Sequence, residues 1–189
     1  MTTRHTDTNV HSLFVERWSP RAFDGSALAE ADVRSLLEAA RWAPSAYNAQ
    51  PWRLLYAVRD DANWDRFVSL LVPANQSWAR NASLLVFFVS ATTFRGRPSY
   101  TNSYDSGAAW MSLALQAQLM GLHTHGMAGI EHDRIRLELG VPDDYRVEAG
   151  AAVGRRADPS ILPDSLRERE APSERLPLEE IAFAGKFGG

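Results

Sequence analysis

The chain has 189 residues, the size of a single globular domain with an extension. Hydrophobic residues make up 45% and charged residues 23%, so the chain can bury a core and disorder throughout is excluded. A net charge of -3 disfavours general nucleic-acid binding, and the absence of cysteine excludes disulfides, thiolate nucleophiles and cysteine-bound metals.

The first half of the chain alternates helical and extended patterns. Residues 26–43 predict an amphipathic helix with Ser26 as its N-cap. Residues 53–58 predict a short strand, and residues 63–72 predict a second helix. Residues 84–90 form a continuous run of branched and aromatic side chains, so we expect a strand buried on both faces.

The second half contains an unusually apolar helical segment. Residues 105–120 place apolar side chains around almost the whole circumference, which predicts a helix covered on several sides, either by a second subunit or by a large internal core. We expect Leu113 and Ala114 in that subunit contact. Residues 147–153 predict another strand, and from residue 155 onward prolines and charges predict an extended tail. These elements together predict an α+β or α/β sandwich.

Three short segments combine arginine, proline and amide side chains. Residues 17–23 read RWSPRAF, residues 44–52 read PSAYNAQPW and residues 175–180 read RLPLEE. Taken singly, they are consistent with surface cations and with a turn whose amides satisfy loop backbone groups. In this order and spacing they resemble the nitroreductase family of FMN-dependent oxidoreductases, over residues 14–183. The middle motif is the most specific of the three.

The resemblance implies a fold and a domain organisation. The fold is α+β, a nitroreductase-like three-layer sandwich in which helices flank a central mixed, mainly antiparallel sheet. The chain divides into a flexible N-terminus (1–13), an FMN-dependent nitroreductase-like domain (14–156) and a C-terminal extension of the same domain (157–189) that embraces the partner subunit. The protein is then a homodimer with its flavins at the subunit interface.

The resemblance also implies an FMN site. Arg17 and Arg175 bind the phosphate with the hydroxyl of Ser19, because guanidinium groups suit a dianionic phosphate. Arg21 lies near the flavin pyrimidine edge and stabilises the reduced state, and the Asn48 amide contacts the ring or the ribityl chain. The full set of implied cofactor-binding residues is Arg17, Trp18, Ser19, Arg21, Pro44, Ser45, Ala46, Asn48, Ala128, Gly129 and Arg175.

The sequence departs from the family pattern at several positions. Trp18 and Ser173 stand where basic residues are frequent in the family, which suggests Arg155 or Arg156 as substitutes at the phosphate. The segment His123-Thr124-His125 is atypical. His123 and His125 share one face of a predicted strand, but no third ligand has suitable spacing, so no metal site is expected. We expect these histidines to pack or hydrogen-bond near the subunit interface.

The expected reaction needs no side-chain acid. In the family, NADH or NADPH delivers hydride to flavin N5 and leaves, and an electron-poor acceptor (a nitroaromatic, quinone or activated alkene) then binds the same face in a ping-pong mechanism. We expect Tyr47 and Phe94 to face the substrate, although core packing is the alternative for Phe94. Residues 94–103 form a flap, in which Arg95 and Arg97 are either a solvated basic loop or contacts for nicotinamide phosphates.

Other functions remain open at this stage. The same fold could carry out flavin breakdown or reductive dehalogenation, serve as an FMN-binding sensor or store, or act as an interaction module without cofactor. Met1 to Val10 carries no apolar signal-peptide core and no apolar run is long enough to span a bilayer. A cytoplasmic protein with no membrane or nucleic-acid partner is therefore expected.

Overall fold

The computed structural model describes residue 4 and residues 6–188, and comprises seven helices and six strands within them. The helices are α1 (Ser12–Glu16), α2 (Glu30–Arg41), α3 (Trp64–Ser69), α4 (Pro73–Ala79), α5 (Asn102–Leu119), α6 (His132–Glu138) and α7 (Asp164–Arg167). The strands are β1 (Trp52–Val58), β2 (Leu84–Ala91), β3 (Thr93–Phe94), β4 (Arg97–Pro98), β5 (His123–Met127) and β6 (Tyr145–Gly154). Single 3₁₀ turns cover Ala46–Asn48, Pro159–Ile161 and Leu178–Glu180.

A four-stranded sheet lies at the centre, in the order β1-β2-β6-β5. Its three pairings are all antiparallel, so the expected parallel component is not formed within the described residues. Residues 84–90 of β2 are all buried, which confirms the prediction of a strand covered on both faces. The remaining strands, β3 and β4, form a separate hairpin.

Helices cover both faces of the sheet. One core lies between the sheet and the pair α2 and α5, with Leu36 and Leu113 fully buried. The other lies between the sheet and α3, α4 and α6, with Phe67 and Phe87 stacked at 5.1 Å between ring centroids. The expected three-layer α+β sandwich is thus confirmed.

Three predicted helix boundaries are wrong. Helix α5 begins at Asn102 rather than residue 105, because the Asp105 N–H already donates to the Thr101 carbonyl at 2.8 Å. Helix α2 begins at Glu30 rather than Ser26, because the backbone N–H and hydroxyl of Ser26 donate to the Asp24 carboxylate at 2.8 and 2.7 Å and form a turn instead of a cap. Helix α3 ends at Ser69, because Leu71 forms an isolated antiparallel bridge with Ile130.

Helix α5 turns a different face outward than expected. Leu113 and Ala114 are buried within the single chain, at 0% and 1% exposure, so the prediction that they form the subunit contact is wrong. Leu113 packs in the core shared with α2 and the sheet. One face of the helix is less covered, and we call it the outer stripe. It consists of Tyr104, Met111, Leu115 and Leu119, of which Tyr104 and Leu119 are exposed.

The two ends of the chain lie on the surface of this sandwich. Of the expected flexible segment 1–13, residues 1–3 and 5 lie outside the described residues, and α1 begins at Ser12. The segment 157–188 contains α7, two 3₁₀ turns and otherwise irregular backbone without a strand. The predicted domain boundaries and the embrace of a partner stay predictions. No helix among the described residues has the length and apolarity needed to cross a membrane.

Candidate functional site

Three arginines from distant parts of the chain come together beside α1. Arg17 is half-buried, and its pKa is lowered mainly by burial and further by the nearby charges of Arg175 and Arg4. The Arg17 guanidinium also donates to the Ser19 hydroxyl at 3.4 Å. None of the three guanidiniums forms an ion pair with a carboxylate of the described residues. We call Arg4, Arg17 and Arg175 the arginine cluster.

Arg4 ties the two ends of the chain to this cluster. Its guanidinium donates to the backbone carbonyls of Val15 and Arg17 at 3.1 and 2.8 Å, and to that of Ser173 at 2.9 Å. The carboxylate of Glu174 is close enough to oppose the lowering of the Arg4 pKa that burial and Arg175 cause. Converging guanidiniums that form no direct ion pair suit a bound anion such as a phosphate.

The residues expected to supplement this site lie elsewhere. Trp18 is buried at 8% exposure, and the Arg156 guanidinium lies over its ring at 5.2 Å from the centroid. The Arg156 guanidinium therefore covers the tryptophan ring and helps to lower the pKa of His123. The third cation near Arg17 is Arg4. Arg155 is exposed, and its carbonyl accepts a hydrogen bond from the backbone of Asp24.

Arg21 is held by an acidic residue of the C-terminal segment. One oxygen of Glu170 accepts hydrogen bonds from the backbone N–H groups of Arg21 and Ala22, at 2.7 and 2.9 Å. The other oxygen lies 3.8 Å from the Arg21 guanidinium and has no hydrogen-bond partner among the described residues. The Glu170 side chain is fully buried. It therefore anchors the first motif and partly neutralises Arg21.

His125 of β5 packs against the first motif, and His123 is partly buried on the same strand. Nδ1 of His125 lies 3.0 Å from the carbonyl oxygen of Pro20, and its ring centroid is 4.6 Å from that of Trp78. Burial lowers the pKa of His125, Arg21 lowers it further, and the Pro20 carbonyl and Glu170 oppose the change. Burial, aided by Arg156, also lowers the pKa of His123. That the histidines pack is thus observed, while their place near a subunit interface stays a prediction.

The second motif is a tight loop with strained backbone. Tyr47, Asn48 and Gln50 have φ values of 53°, 53° and 46°, a region that non-glycine residues enter at a cost of about 1–3 kcal/mol each, least for asparagine. The hydroxyl of Ser45 accepts from the Gln50 backbone at 3.0 Å, and the Gln50 amide donates to the Asn48 carbonyl at 2.9 Å. The Ala46 N–H faces the buried Asp105 carboxylate at 3.3 Å.

These contacts distinguish the side chains of the second motif that hold the loop together from those that can bind a ligand. Ser45 and Gln50 hold the loop together, which accounts for their presence without a ligand. The Asn48 side chain is exposed and donates to no acceptor among the described residues, and Pro44 is exposed beside it. Asn48 therefore presents both an amide donor and a carbonyl acceptor to a ligand.

Ala128 and Gly129 follow β5 and differ in their surroundings. Ala128 is exposed. The Gly129 carbonyl accepts from the Val72 backbone and the Asn75 amide, at 3.2 and 2.9 Å. A Cβ on Gly129 would lie 2.7 Å from Asn75 Nδ2 and 2.8 Å from Val72 Cγ2. Packing against α4 thus requires the glycine, while Ala128 remains the candidate for cofactor contact.

Tyr47 and Phe94, the expected substrate residues, line one cavity. The cavity has a volume of about 540 Å³, and its walls are the second motif and the β3–β4 hairpin with the segment that follows it. Tyr47 is 87% exposed and Phe94 is partly buried, so the core-packing alternative for Phe94 does not hold. Volumes of about 300–1,000 Å³ are typical of small-molecule sites.

The two halves of the expected cofactor site lie at opposite edges of the sheet. Pro20, next to Arg21, contacts His125 of β5, whereas Pro44 to Gln50 lead directly into β1. Strands β2 and β6 separate these edges, which places them about 14 Å apart at the usual strand spacing. No hydrogen bond among the described residues joins the two motifs.

Sequence reasoning missed Arg4, Glu170 and Asp105. Glu170 contacts the first motif across 149 positions of chain, and Arg4 contacts Ser173 across 169. No periodicity signals such pairings. Asp105 carries a weak signal, because an acidic residue in the first turn of α5 is favoured by the helix dipole whether or not it holds the second motif.

Comparison with known proteins places this geometry in a family. Residues 15–155 match the model of the nitroreductase family. A solved structure of an oxidoreductase containing FMN is 52% identical with a TM-score of 0.95, covering 98% of this chain and 96% of that chain. An uncharacterized 15.4 kDa protein in the ask 5′ region of Mycolicibacterium smegmatis is 34% identical over 131 residues, covering 68% of this chain and 88% of that protein. An NADH dehydrogenase of Thermus thermophilus is 26% identical over 204 residues, covering 89% of this chain and 92% of that protein. Because the family model spans most of the sequence, this chain belongs to the nitroreductase family.

Proposed function

We propose that the protein is an FMN-dependent oxidoreductase that passes hydride from NADH or NADPH to an electron-poor acceptor, a nitroaromatic, quinone or activated alkene, by a ping-pong mechanism. The observation that carries the proposal is the arginine cluster, which offers a phosphate three guanidiniums that form no ion pair with a carboxylate of the described residues. Support for FMN comes from the 52% identical oxidoreductase that contains it. The relative named NADH dehydrogenase favours a nicotinamide reductant.

The arginine cluster and the first motif hold the cofactor in this proposal. Arg17 and Arg175 bind the phosphate together with the Ser19 hydroxyl, and Arg4 adds a third positive charge beside them. Arg21 places its guanidinium by the pyrimidine edge, where Glu170 fixes its position. In this proposal the backbone around Trp18 and Ala128 also contacts the cofactor. Bound FMN supplies the hydride chemistry, so the chain needs no acid or base of its own.

The proposal includes a homodimer in which each site takes residues from both chains. Pro44, Ser45, Ala46 and Asn48 lie at the far edge of the sheet from Arg21, so the loop of a second copy would complete the site. The outer stripe of α5 offers that copy an apolar surface. The C-terminal segment also carries apolar side chains that a partner could cover. These are Leu176, Leu178, Ile181 and Phe187, all exposed in the single chain.

The phosphate assignment is tested by titrating FMN into the Arg17→Gln and Arg175→Gln variants. Each charge-assisted hydrogen bond contributes about 1.5–3 kcal/mol, so each loss weakens binding by about tenfold or more. Flavin fluorescence quenching measures the affinity. Arg66→Gln is the control, because it removes one exposed arginine from α3. Unchanged affinity in both cluster variants would contradict the assignment.

The redox function is tested with the purified protein itself. We expect visible flavin absorption that bleaches rapidly with NADH or NADPH and returns when a quinone or nitroarene is added. FMN that binds but is reduced only very slowly would favour a sensor or storage protein. Protein that neither carries nor takes up FMN would overturn the proposal and favour an interaction module.

A further inference from the structure

A small hairpin stands over the cavity that Tyr47 and Phe94 line. Strands β3 and β4 pair Thr93 with Pro98 and Phe94 with Arg97, so Arg95 and Gly96 form a two-residue turn. Arg95 and Arg97 both line the cavity, opposite the second motif. The cavity lining therefore combines cationic and aromatic side chains.

The turn places an arginine where the backbone disfavours it. Arg95 has φ 51° and Gly96 has φ 74°, the left-handed pair of a type I′ turn, in which Asn-Gly is the preferred sequence. An arginine in this region costs more than asparagine or glycine would. The sequence thus carries a charge at a position where a neutral residue would stabilise the turn. Strain of this kind is a reason to look for a function.

The two guanidiniums have no internal counter-ion. Neither Arg95 nor Arg97 forms an ion pair or a side-chain hydrogen bond within the part of the chain that the structure describes. The Arg95 guanidinium lies over the Phe94 ring at 5.0 Å. In the adjoining cleft, which Arg95 also lines, Arg53 adds a positive charge and Asp144 a negative one.

We propose that Arg95 and Arg97 bind the anionic group of a planar aromatic ligand whose ring lies against Tyr47 and Phe94. Guanidinium groups recognise carboxylates and phosphates through paired N–H donors, and the aromatic wall accommodates a flat ring. The anion has two sources, the carboxylate of an aromatic electron acceptor or a phosphate of the nicotinamide reductant. The inference deepens the proposed function and rests on it for the identity of these ligands.

The variants separate binding from folding. Arg95→Asn places the favoured residue in the turn, so the hairpin keeps or gains stability while it loses the charge. Arg97→Gln removes the second charge, and the double hairpin variant carries both substitutions. The control is the double variant Arg34→Gln with Arg66→Gln, which removes the same charge from exposed positions on α2 and α3. FMN affinity is measured in every variant and is expected to stay unchanged.

Binding is measured by isothermal titration with two probe sets. The first compares para-nitrobenzoate with its neutral analogue para-nitrobenzamide, and the second uses oxidised NADP⁺ and NAD⁺. The wild type is expected to bind at least one anionic probe about tenfold more tightly than the double hairpin variant, the scale of a charge-assisted contact. Added salt is expected to reduce that difference, because the contacts are exposed.

The probes that lose affinity in the double hairpin variant identify the anion. A loss confined to para-nitrobenzoate identifies an acceptor carboxylate, and a loss confined to the dinucleotides identifies a reductant phosphate. Equal binding of every probe by the wild type and the double hairpin variant overturns the inference and leaves a solvated basic turn. If the double hairpin variant loses binding of an anionic probe but the wild type shows no NADH- or NADPH-dependent turnover, the proposed function is rejected and the hairpin inference stands. If the wild type turns over but every probe binds both proteins equally, the hairpin inference alone is rejected.

Discussion

Single residues in this protein gain their properties from contacts that join distant parts of the chain. His125 is an example, because its ring packs on Trp78 and its Nδ1 lies next to the Pro20 carbonyl. Burial is the largest reason that its pKa falls below the ordinary value, and the positive charge of Arg21 adds to it. The folded protein therefore favours the neutral imidazole.

This burial predicts acid sensitivity of the fold. Below about pH 6.5 the unfolded chain protonates this histidine while the folded chain resists, so the free energy of unfolding falls as the pH falls. His125→Asn keeps a donor for Pro20 and removes the titrating group. We expect the midpoint of thermal unfolding to depend less on pH between 7.5 and 5.5 in this variant, with His123 causing the remaining dependence.

Differential scanning calorimetry at several pH values checks this expectation. The matched control is His132→Asn, since His132 is exposed at the start of α6. A pH dependence in His125→Asn as steep as in the wild type would show that burial of His125 does not set the acid limit.

Gly129 gives a second prediction at this scale. In Gly129→Ala the new methyl group meets Val72 and Asn75 closer than van der Waals contact allows. Overpacking of this kind costs about 1–3 kcal/mol, or roughly 2–12 °C in melting temperature at this chain length. The loss is expected in the FMN-free protein. Gly107→Ala is the control, because no atom lies within 4 Å of a Cβ there.

The opposite pattern would be equally informative. A Gly129→Ala variant with the wild-type melting temperature and weakened FMN binding would mean that the glycine is needed for approach to the flavin, and that the packing interpretation is wrong.

At the scale of elements, α5 shows the difference between predicting a helix and predicting its orientation. The helix is apolar around most of its circumference, so the sequence does not favour one inward face. Packing against α2 and the sheet selects Leu113 and Ala117 for the core. Met111 and Leu115 lie on the outer stripe, although all four side chains are apolar and the sequence does not distinguish them.

The outer stripe predicts how the subunits separate. Leu115→Glu places a charge on the proposed contact, and burial of an unpaired charge is costly, so we expect monomers in sedimentation velocity. FMN binding is expected to weaken in parallel, because the site lacks the second motif of the partner. Leu137→Glu on α6, an equally apolar and 83% exposed position, is the control. A stable Leu115→Glu dimer would exclude this face as the contact.

At the scale of the whole molecule, the sequence predicted what depends on local pattern. The buried run of β2 and the sandwich architecture follow from periodicity, and the spacing of the three motifs indicated the family. The contacts of Arg4 with Ser173 and of Glu170 with Arg21 depend on how the two ends of the chain fold back, which no local pattern encodes. The start of α2 was misplaced because Ser26 has Asp24 as a competing partner.

The position of the arginine cluster has a consequence for the termini. Arg4 comes from one end of the polypeptide, Arg175 from the other, and Arg17 from the segment between α1 and the sandwich. Like charges oppose their convergence until a counter-charge arrives. In the proposed function, anion binding and the ordering of both ends are therefore a single linked equilibrium, in which a ligand that binds the assembled cluster stabilises segments that have little core of their own.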